Sequence, residues 1–488
     1  MHSFNDAREI NAGRPVRRRE MLKLAAAGSV AAVLAACGGS AATDTPKPAG
    51  TTAPASTTAA PAATSAPAAT TAVSSAAAAT RPTGSIAAPS STTASVGTTA
   101  PAGTTAPVST TAATTSPAAS VASIAVKDTI KVGIVTSKSG PLASYGAQYL
   151  DGLQIGLDYA TKGTGAIAGH KVQLDIKDDA GDPATGVAAA KDFIGQGYKI
   201  IGGSVVSGVA LQVAPLAEQN QVLFVSGPAA ADAITGINGY TFRSGRQSLQ
   251  DVQTAKSFLT DLKGKTVLVF AQDSAFGQSN VAAVKQIFGT DGATVDQLLV
   301  PQDAKDFAPF AQQVAGKKPD LVFVAWAGTT ATAMYAALDS QGVLTSNKVV
   351  TGLDQRSTYP IFGPAADKIA FLSHYIYQAP QNEANQYLID ALKKKNQVSD
   401  LFDPDGFAGA QMIVHAIEGA DGSDVKKMIA ALEGYAFKGV KGDYTIRKED
   451  HALIQPMFQV KLVKQGDGYE SQPIATVAAD KVAPPVKK

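Results

Sequence analysis

The feature that most constrains the fold is a long segment near the N-terminus with almost nothing to bury. Residues 41–124 contain no aromatic residue and only three charges, and Thr-Thr-Ala-Pro recurs at 51–54, 98–101 and 104–107. Ordering a chain costs conformational entropy that burial must offset, so we expect a disordered linker here. Ser and Thr beside Pro suit either a plain spacer or an O-glycosylated stalk. The folded part is therefore predicted to begin near 125, which leaves ample chain for a large core.

The first 36 residues have the order of an export signal. A basic segment at 17–23 precedes a short apolar run at 24–36. A spanning helix needs about 20 apolar residues, so this run is typical of a signal peptide. Its Arg-Arg-x-Met-Leu-Lys resembles the twin-arginine signal, and Leu-Ala-Ala-Cys-Gly-Gly-Ser resembles the lipobox of bacterial lipoproteins. We predict a twin-arginine-type lipoprotein signal peptide at 1–36, lipidation at Cys37 and a linker over 37–124; an unmodified cysteine is the alternative.

Charge and motif content argue against several classes of function. From 125 onward there are 34 basic and 36 acidic residues, and this near-neutral balance predicts no nucleic-acid-binding surface. One cysteine excludes an internal disulfide framework, and the five histidines have no metal-ligand spacing. Gly-Thr-Gly-Ala-Ile-Ala at 163–168 lies before a predicted strand, so it indicates a turn instead of a dinucleotide site. We predict no catalysis, metal or cofactor, because no nucleophile or acid–base constellation is visible.

Short strands and helices alternate from 125 onward, which predicts an α/β fold with parallel sheets. The predicted strands are 129–136, 171–177, 200–203, 221–226, 266–270, 321–324, 349–351 and a pair near 435–462. The predicted helices are 145–162, 209–219, 248–262, 277–288, 307–316, 329–341, 382–395, 405–420 and 423–432. Asp182-Pro183 opens one more helix, with Asp182 as the N-cap. The length favours two α/β lobes.

Candidate site residues are those that follow strands, because open α/β sheets bind ligands beyond the carboxyl ends of their strands. At Ser207 a helix follows the strand 200–203, so free amides and the hydroxyl can hold an anion. The alternatives are that Ser207 only caps its helix and that the aromatic residues belong to the core. The candidates that follow strands are Tyr145, Ser207, Pro228, Ala230, Phe276, Trp326 and Asp354.

From about 128 to 465 the chain resembles the leucine/isoleucine/valine-binding branch of type I periplasmic binding proteins, the substrate-binding proteins of ABC importers. The resemblance is carried, in order, by IKVGIVTSKSGPLASYG, DDAGDPATGVAAAKDFI, GGSVVSGVALQVAPLAEQNQVLFVSG, YTFRSGRQS, FAQDSAFGQSN and PDLVFVAWAG. It implies two lobes, each a parallel sheet flanked by helices, joined by three crossovers that we place near 246, 378 and 447. The predicted ranges are 125–246 and 379–446 for lobe 1, 247–378 and 447–475 for lobe 2, and 476–488 for a tail.

The resemblance also implies a role for each candidate. Ser207 and the amide of Ala230 would hold a ligand carboxylate, while the Pro228 carbonyl and Asp354 would take an amine. The hydrophobic walls would be Tyr145, Phe276 and Trp326.

Some positions depart from the family pattern. Ala230 stands where a Thr hydroxyl is common, and Thr329 stands where the wall often has a Tyr, so Trp326 would substitute. Gly181 and Val206 occupy the positions of a disulfide found in some relatives.

The function that the resemblance implies is capture of an amino acid-like ligand, branched-chain or otherwise apolar, for delivery to the permease subunits of an ABC importer. The protein would be anchored through Cys37 to the outer face of the cytoplasmic membrane in a bacterial envelope. The alternative is a receptor of the same fold that senses a small carboxylate or amide without transport.

Overall fold

A computed structural model describes residues 127–487. The predicted signal peptide, Cys37 and the whole predicted linker over 37–124 lie outside these residues. The strands are β1 Thr129–Thr136, β2 Ala166–Ile167, β3 His170–Asp178, β4 Ile200–Gly203, β5 Leu223–Ser226, β6 Thr241–Arg243, β7 Thr266–Gln272, β8 Thr294–Val300, β9 Leu321–Ala325, β10 Lys348–Gly352, β11 Ile369–Ser373, β12 Ala436–Gly439, β13 Gly442–Ile446, β14 Leu453–Ile454, β15 Met457–Gln465 and β16 Gly468–Val477.

Helices cover both faces of the large sheets and connect most of the parallel strands. They are α1 Ala143–Ala160, α2 Pro183–Gly195, α3 Ser207–Gln219, α4 Ser248–Lys256, α5 Ala275–Thr290, α6 Ala308–Lys317, α7 Ala331–Ser340, α8 Val343–Ser346, α9 Glu383–Lys394, α10 Asp403–Ala420, α11 Val425–Leu432 and α12 Ala479–Val482. Two 3₁₀ segments, Asp232–Ile234 and Arg356–Ala365, lie in loops.

The described strands form two large sheets and one small one. The first sheet has the order β2-β3-β1-β4-β5-β6, and only β2 is antiparallel to its neighbour. The second sheet has the order β16-β15-β11-β10-β9-β7-β8, with an antiparallel hairpin, β15–β16, at one edge. The small sheet, β12-β13-β14, is antiparallel. The predicted α/β fold with parallel sheets flanked by helices is confirmed.

Local sequence explains where several elements begin and pack. Asp182 caps α2 as predicted, since its carboxylate accepts from the Thr185 amide at 2.8 Å and Pro183 takes the first helical position. Helices α1 and α10 cross closely because glycines form the contact. A Cβ on Gly152 would lie 1.9 Å from the Asp403 carbonyl oxygen, and one on Gly406 would lie 2.1 Å from that of Tyr149.

Five strands lie outside every predicted range, namely β2, β6, β8, β11 and β16, and the pair predicted near 435–462 is four strands, β12 to β15. The edge strands β8 and β16 expose much of their length and carry polar residues, so their pattern lacks a buried face. Strands β6 and β11 are short and buried, and such runs cannot be assigned from periodicity alone. The helix predicted at 248–262 ends at Lys256.

The division into two lobes stays a proposal, and packing near the third predicted crossover refines it. His451 stacks on Phe242 of the first sheet with ring centroids 3.8 Å apart, and the Gly236 amide donates to the Asp450 carbonyl at 2.9 Å. Residues 447–454 therefore pack beside the first sheet. The chain enters the second sheet between Ile454 and Met457, after the predicted position of 447.

The C-terminal segment returns toward the first sheet after β16. Helix α12 packs against α4 and β14. Beyond it, the Arg447 guanidinium donates to the Pro484 carbonyl at 2.7 Å, and the Lys487 amide donates to the Asp450 carboxylate at 3.0 Å. The predicted tail at 476–488 is thus ordered through Lys487.

Candidate functional site

The topology of the two large sheets predicts where a ligand binds. Strand order reverses beside β1 and β4 in the first sheet and beside β7 and β9 in the second. Loops that leave such switch points open a crevice at the carboxyl ends of the strands. Tyr145 and Ser207 follow β1 and β4, while Phe276 and Trp326 follow β7 and β9. These four candidates therefore lie at the two switch points.

Loops from both sheets line one cleft, which has a larger and a smaller part. The larger part has a volume of about 570 Å³ and the smaller about 60 Å³. All seven candidates line it. Ser207, Pro228 and Ala230 face the larger part, Trp326 and Asp354 face the smaller part, and Tyr145 and Phe276 border both. The structure thus brings the predicted residues together, and their binding roles stay predictions.

The first-sheet side of the cleft offers mainly backbone and hydroxyl groups. Ser207 begins α3, and its Oγ accepts from the Ala231 amide at 3.1 Å. A hydroxyl that accepts one hydrogen bond keeps its own proton to donate. The Ala230 carbonyl accepts from the Ser248 amide at 2.9 Å, whereas no hydrogen bond within residues 127–487 engages the Ala230 amide. Ser207 and Ala230 therefore both retain a donor for an anion.

Asp354 follows β10 and is held by a residue from the other side of the cleft. The Tyr145 hydroxyl donates to Asp354 Oδ1 at 2.5 Å and accepts from the Gly328 amide at 3.2 Å. Burial raises the pKa of Asp354, against the lowering effect of the Tyr145 hydrogen bond. In the described part of the chain, Asp354 has no cationic group within 4.0 Å. This half-buried carboxylate has no counter-ion among the described residues.

Aromatic rings form the apolar walls. Trp326 stacks on Phe270 with centroids 5.6 Å apart, and its Nε1 donates to Thr330 Oγ1 at 3.0 Å. One side of the indole therefore belongs to the core and the other faces the cleft. Phe402 was not predicted as a site residue, yet its ring packs on Tyr145 with centroids 4.6 Å apart and borders both parts of the cleft.

Arg246 is another lining residue that sequence analysis missed. It lies at the predicted first crossover, is 9% exposed and borders both parts of the cleft. Nη1 donates to the Pro228 carbonyl at 3.1 Å. Arg243, in the same sequence block, instead points into protein and donates to the Ala229 carbonyl at 2.6 Å. Nothing in the order of residues distinguishes the two arginines.

The described residues show neither a metal centre nor a membrane span. Within 127–487 no group of three or more His, Cys, Asp or Glu side chains is placed to hold a metal ion. In the same range no helix is long and apolar enough to cross a bilayer.

Residues 129–467 match the family model described as periplasmic binding protein. The Leu/Ile/Val-binding protein BraC3 of Rhizobium johnstonii is 29% identical over 308 residues, which are 62% of this chain and 82% of that protein. A solved structure of an ABC-type branched-chain amino acid transporter from Rhodopseudomonas palustris is 32% identical, with a TM-score of 0.61 over 73% of this chain and 99% of that one. A Rhodopseudomonas palustris solute-binding protein in complex with 3,4-dihydroxybenzoic acid is 26% identical, with a TM-score of 0.64 over 72% of this chain and 98% of that one.

Proposed function

The chain belongs to the periplasmic binding protein family, and from this we propose that its cleft captures a small amino acid-like ligand for an ABC importer. Like its relatives, the protein is an extracytoplasmic solute-binding protein of ABC transporters, and it is not an enzyme. The proposed ligand carries a carboxylate, an ammonium group and an apolar side chain. Names of relatives that bind leucine, isoleucine and valine support this class.

Asp354 is the observation that carries the proposal. Its carboxylate is enclosed in the cleft with a hydroxyl partner, Tyr145, and without a cation. An enclosed carboxylate costs free energy unless a positive group compensates it. A ligand ammonium would supply that charge and a charge-assisted hydrogen bond. Ser207 and the Ala230 amide would then hold the ligand carboxylate.

A plain carboxylic acid is the second candidate, because the two groups predicted to accept the amine already have donors. Tyr145 donates to Asp354, and Arg246 donates to the Pro228 carbonyl. If the raised pKa of Asp354 leaves its carboxyl group protonated, the group is neutral and needs no cation. The relative bound to 3,4-dihydroxybenzoic acid supports this class of ligand.

Calorimetry with leucine and its deamino analogue, 4-methylpentanoate, separates the two candidates. If the ligand is an amino acid, Asp354→Asn should lower leucine affinity by about 30- to 5,000-fold, because removing one partner of an enclosed charged pair usually costs about 2–5 kcal/mol. The affinity for 4-methylpentanoate should change little. Asp339→Asn, at an exposed position on α7, is the control. Tighter binding of 4-methylpentanoate by wild type, or unchanged leucine affinity in Asp354→Asn, would assign the plain acid.

The pH dependence gives a second criterion. Because burial raises the pKa of Asp354, acidification through that raised value protonates the carboxylate. Leucine affinity should therefore fall on acidification, and it should fall much less in Asp354→Asn. A leucine affinity with the same pH profile in both proteins contradicts the ammonium role.

We also propose a lipid anchor at Cys37, which rests on the sequence alone. Cys37→Ser should abolish incorporation of labelled palmitate and release the protein from membranes. Labelling that persists in the variant contradicts the anchor and leaves the ligand proposal untouched.

A further inference from the structure

Arg246 occupies the junction of the two parts of the cleft. Among the described residues it is the only lysine or arginine that lines both parts. It is nearly buried, and it lies on the segment that leaves the first sheet after β6. A guanidinium in such a position has lost most of its contact with water and needs acceptors to replace it.

The guanidinium is only partly satisfied by protein. It has five N–H donors, of which Nη1 uses one on the Pro228 carbonyl at 3.1 Å and Nε faces Asp251 at 3.4 Å. No hydrogen bond within residues 127–487 engages Nη2. Arg243 shows the contrast, because its Nε, Nη1 and Nη2 all donate to protein oxygens. The Nη edge of Arg246 is therefore left for something in the cleft.

The surroundings hold this edge in place. The Phe276 and Phe402 ring centroids each lie 5.9 Å from the Arg246 guanidinium carbon. Together with the contacts to the Pro228 carbonyl and Asp251, these rings leave the planar group little freedom to turn. Arginine in a fixed orientation binds carboxylates by two parallel hydrogen bonds, which a lysine ammonium does not reproduce.

We propose that Arg246 binds the ligand carboxylate through its Nη edge, so that the cleft selects carboxylates over their neutral amides. This rests on the proposed function in one respect, that a small ligand binds in the cleft. Ser207 and the Ala230 amide line the same larger part and complete the donors, since a carboxylate offers about four acceptor positions. The Pro228 carbonyl then orients Arg246 and does not bind the amine.

The test compares acids with their amides in two arginine variants. Calorimetry uses 4-methylpentanoate with 4-methylpentanamide, and leucine with leucinamide. Arg246→Met should lower affinity for each acid by about 30- to 5,000-fold and change each amide by less than about threefold. Arg246→Lys keeps the charge but loses the planar fork, so it should recover only part of the acid affinity. Lys348→Met, an exposed charge removal at the start of β10, is the matched control and should leave the acid/amide ratio unchanged.

An unchanged acid/amide ratio in Arg246→Met overturns the proposal. If that variant does not fold, Arg246→Lys decides, and an equal loss of acid and amide in it also overturns the assignment. The 4-methylpentanoate pair contains no amine, so its outcome does not depend on Asp354. If wild type binds neither leucine nor 4-methylpentanoate, the amino acid-like ligand is wrong, and benzoate with benzamide tests Arg246. If no carboxylate binds wild type, the inference fails.

Discussion

The two sides of the cleft are built in different ways. The first-sheet side presents hydroxyl and backbone groups from Ser207 and Ala230 beside the side chains of Tyr145 and Arg246, whereas the second-sheet side presents only side chains among the candidates, those of Phe276, Trp326 and Asp354. Backbone groups keep their position when side chains change, so the first-sheet side is suited to a constant anionic group. Large side chains alter cleft shape with each substitution. We infer that the second-sheet side determines which ligand body fits.

A buried polar network fixes the first-sheet side. Asp179 is fully buried, accepts from Ser137 Oγ at 2.6 Å and the Gly181 amide at 2.9 Å, and also accepts from Ser204 Oγ. On the second-sheet side, Gln272 Nε2 lies 3.5 Å from Thr330 Oγ1, and the Ala327 amide donates to Gln272 Oε1 at 3.1 Å. Low-dielectric networks of this kind hold one arrangement of the backbone when every member is satisfied.

The largest expected effect is loss of that network. Asp179→Ala should lower the free energy of unfolding by about 3 kcal/mol or more, because each buried donor left without an acceptor costs roughly 1–3 kcal/mol. Urea denaturation measures it. Asp320→Ala is the control in the second sheet, where an exposed carboxylate accepts from the Thr266 amide at 2.8 Å, and it should cost less than about 1 kcal/mol. Equal costs would show that the buried network of Asp179 stabilises the protein no more than an exposed hydrogen bond does.

The next effect concerns the contact across the cleft. Gly328 has φ +86°, and a Cβ there would lie 2.8 Å from both Leu142 Cδ2 and the Pro141 carbonyl oxygen. Gly328→Ala should lower ligand affinity about tenfold or more, because the added Cβ would clash with Leu142 and Pro141 and oppose the close approach of these loops. Left-handed strain, roughly 1–2 kcal/mol, lowers stability in this variant and in the control alike. Gly264→Ala is the control, because Gly264 has φ +73° but no atom within 4 Å of its Cβ position. Equal affinities in the two variants would show that close approach of the loops does not matter.

Tyr145→Phe tests the hydrogen bonds that join the two sides. Losing the hydroxyl removes donation to Asp354 and leaves the Gly328 amide without its acceptor, which should destabilise the observed contact between the two sides by roughly 1–2 kcal/mol. Trp326 is the chain's one tryptophan and borders the cleft, so its fluorescence reports the change. Its emission should shift to the red without ligand and return with saturating ligand. An unchanged spectrum would mean that apolar packing alone keeps the sides together.

The smallest expected effect is a difference in acid sensitivity. Burial acts to raise the pKa of Asp178, but hydrogen bonds from Ser139 and from the amides of Ala180 and Lys138 outweigh it and lower this pKa to about 2. Unfolded aspartate titrates near pH 4, so Asp178 stabilises the fold above about pH 4, and this contribution is lost as pH falls through about 2. Asp178→Asn should flatten the dependence of unfolding free energy on pH in that window. A slope as steep as that of wild type would contradict the assignment.

Sequence analysis predicted more of the fold than of the site's chemistry. Strand β4 was predicted at its observed bounds, and the cap of α2 follows from Asp182-Pro183, because both depend on residues adjacent in the chain. Edge strands such as β8 and β16 were missed because neighbours in the sheet, and not their own pattern, hold them in place.

For the cleft, the order of residues determined that the candidates follow strands, and parallel topology explains why those loops meet. Only the tertiary structure decided what each group binds. Tyr145 and Asp354 are 209 residues apart and share a hydrogen bond. The orientation of the Arg246 guanidinium depends on contacts with Pro228 and Asp251 and with the rings of Phe276 and Phe402, which belong to separate segments. The hydrophobic period and the motif spacing of a segment depend on residues that are close together in the chain. Whether a buried charge has hydrogen-bond partners depends instead on segments that only folding brings together.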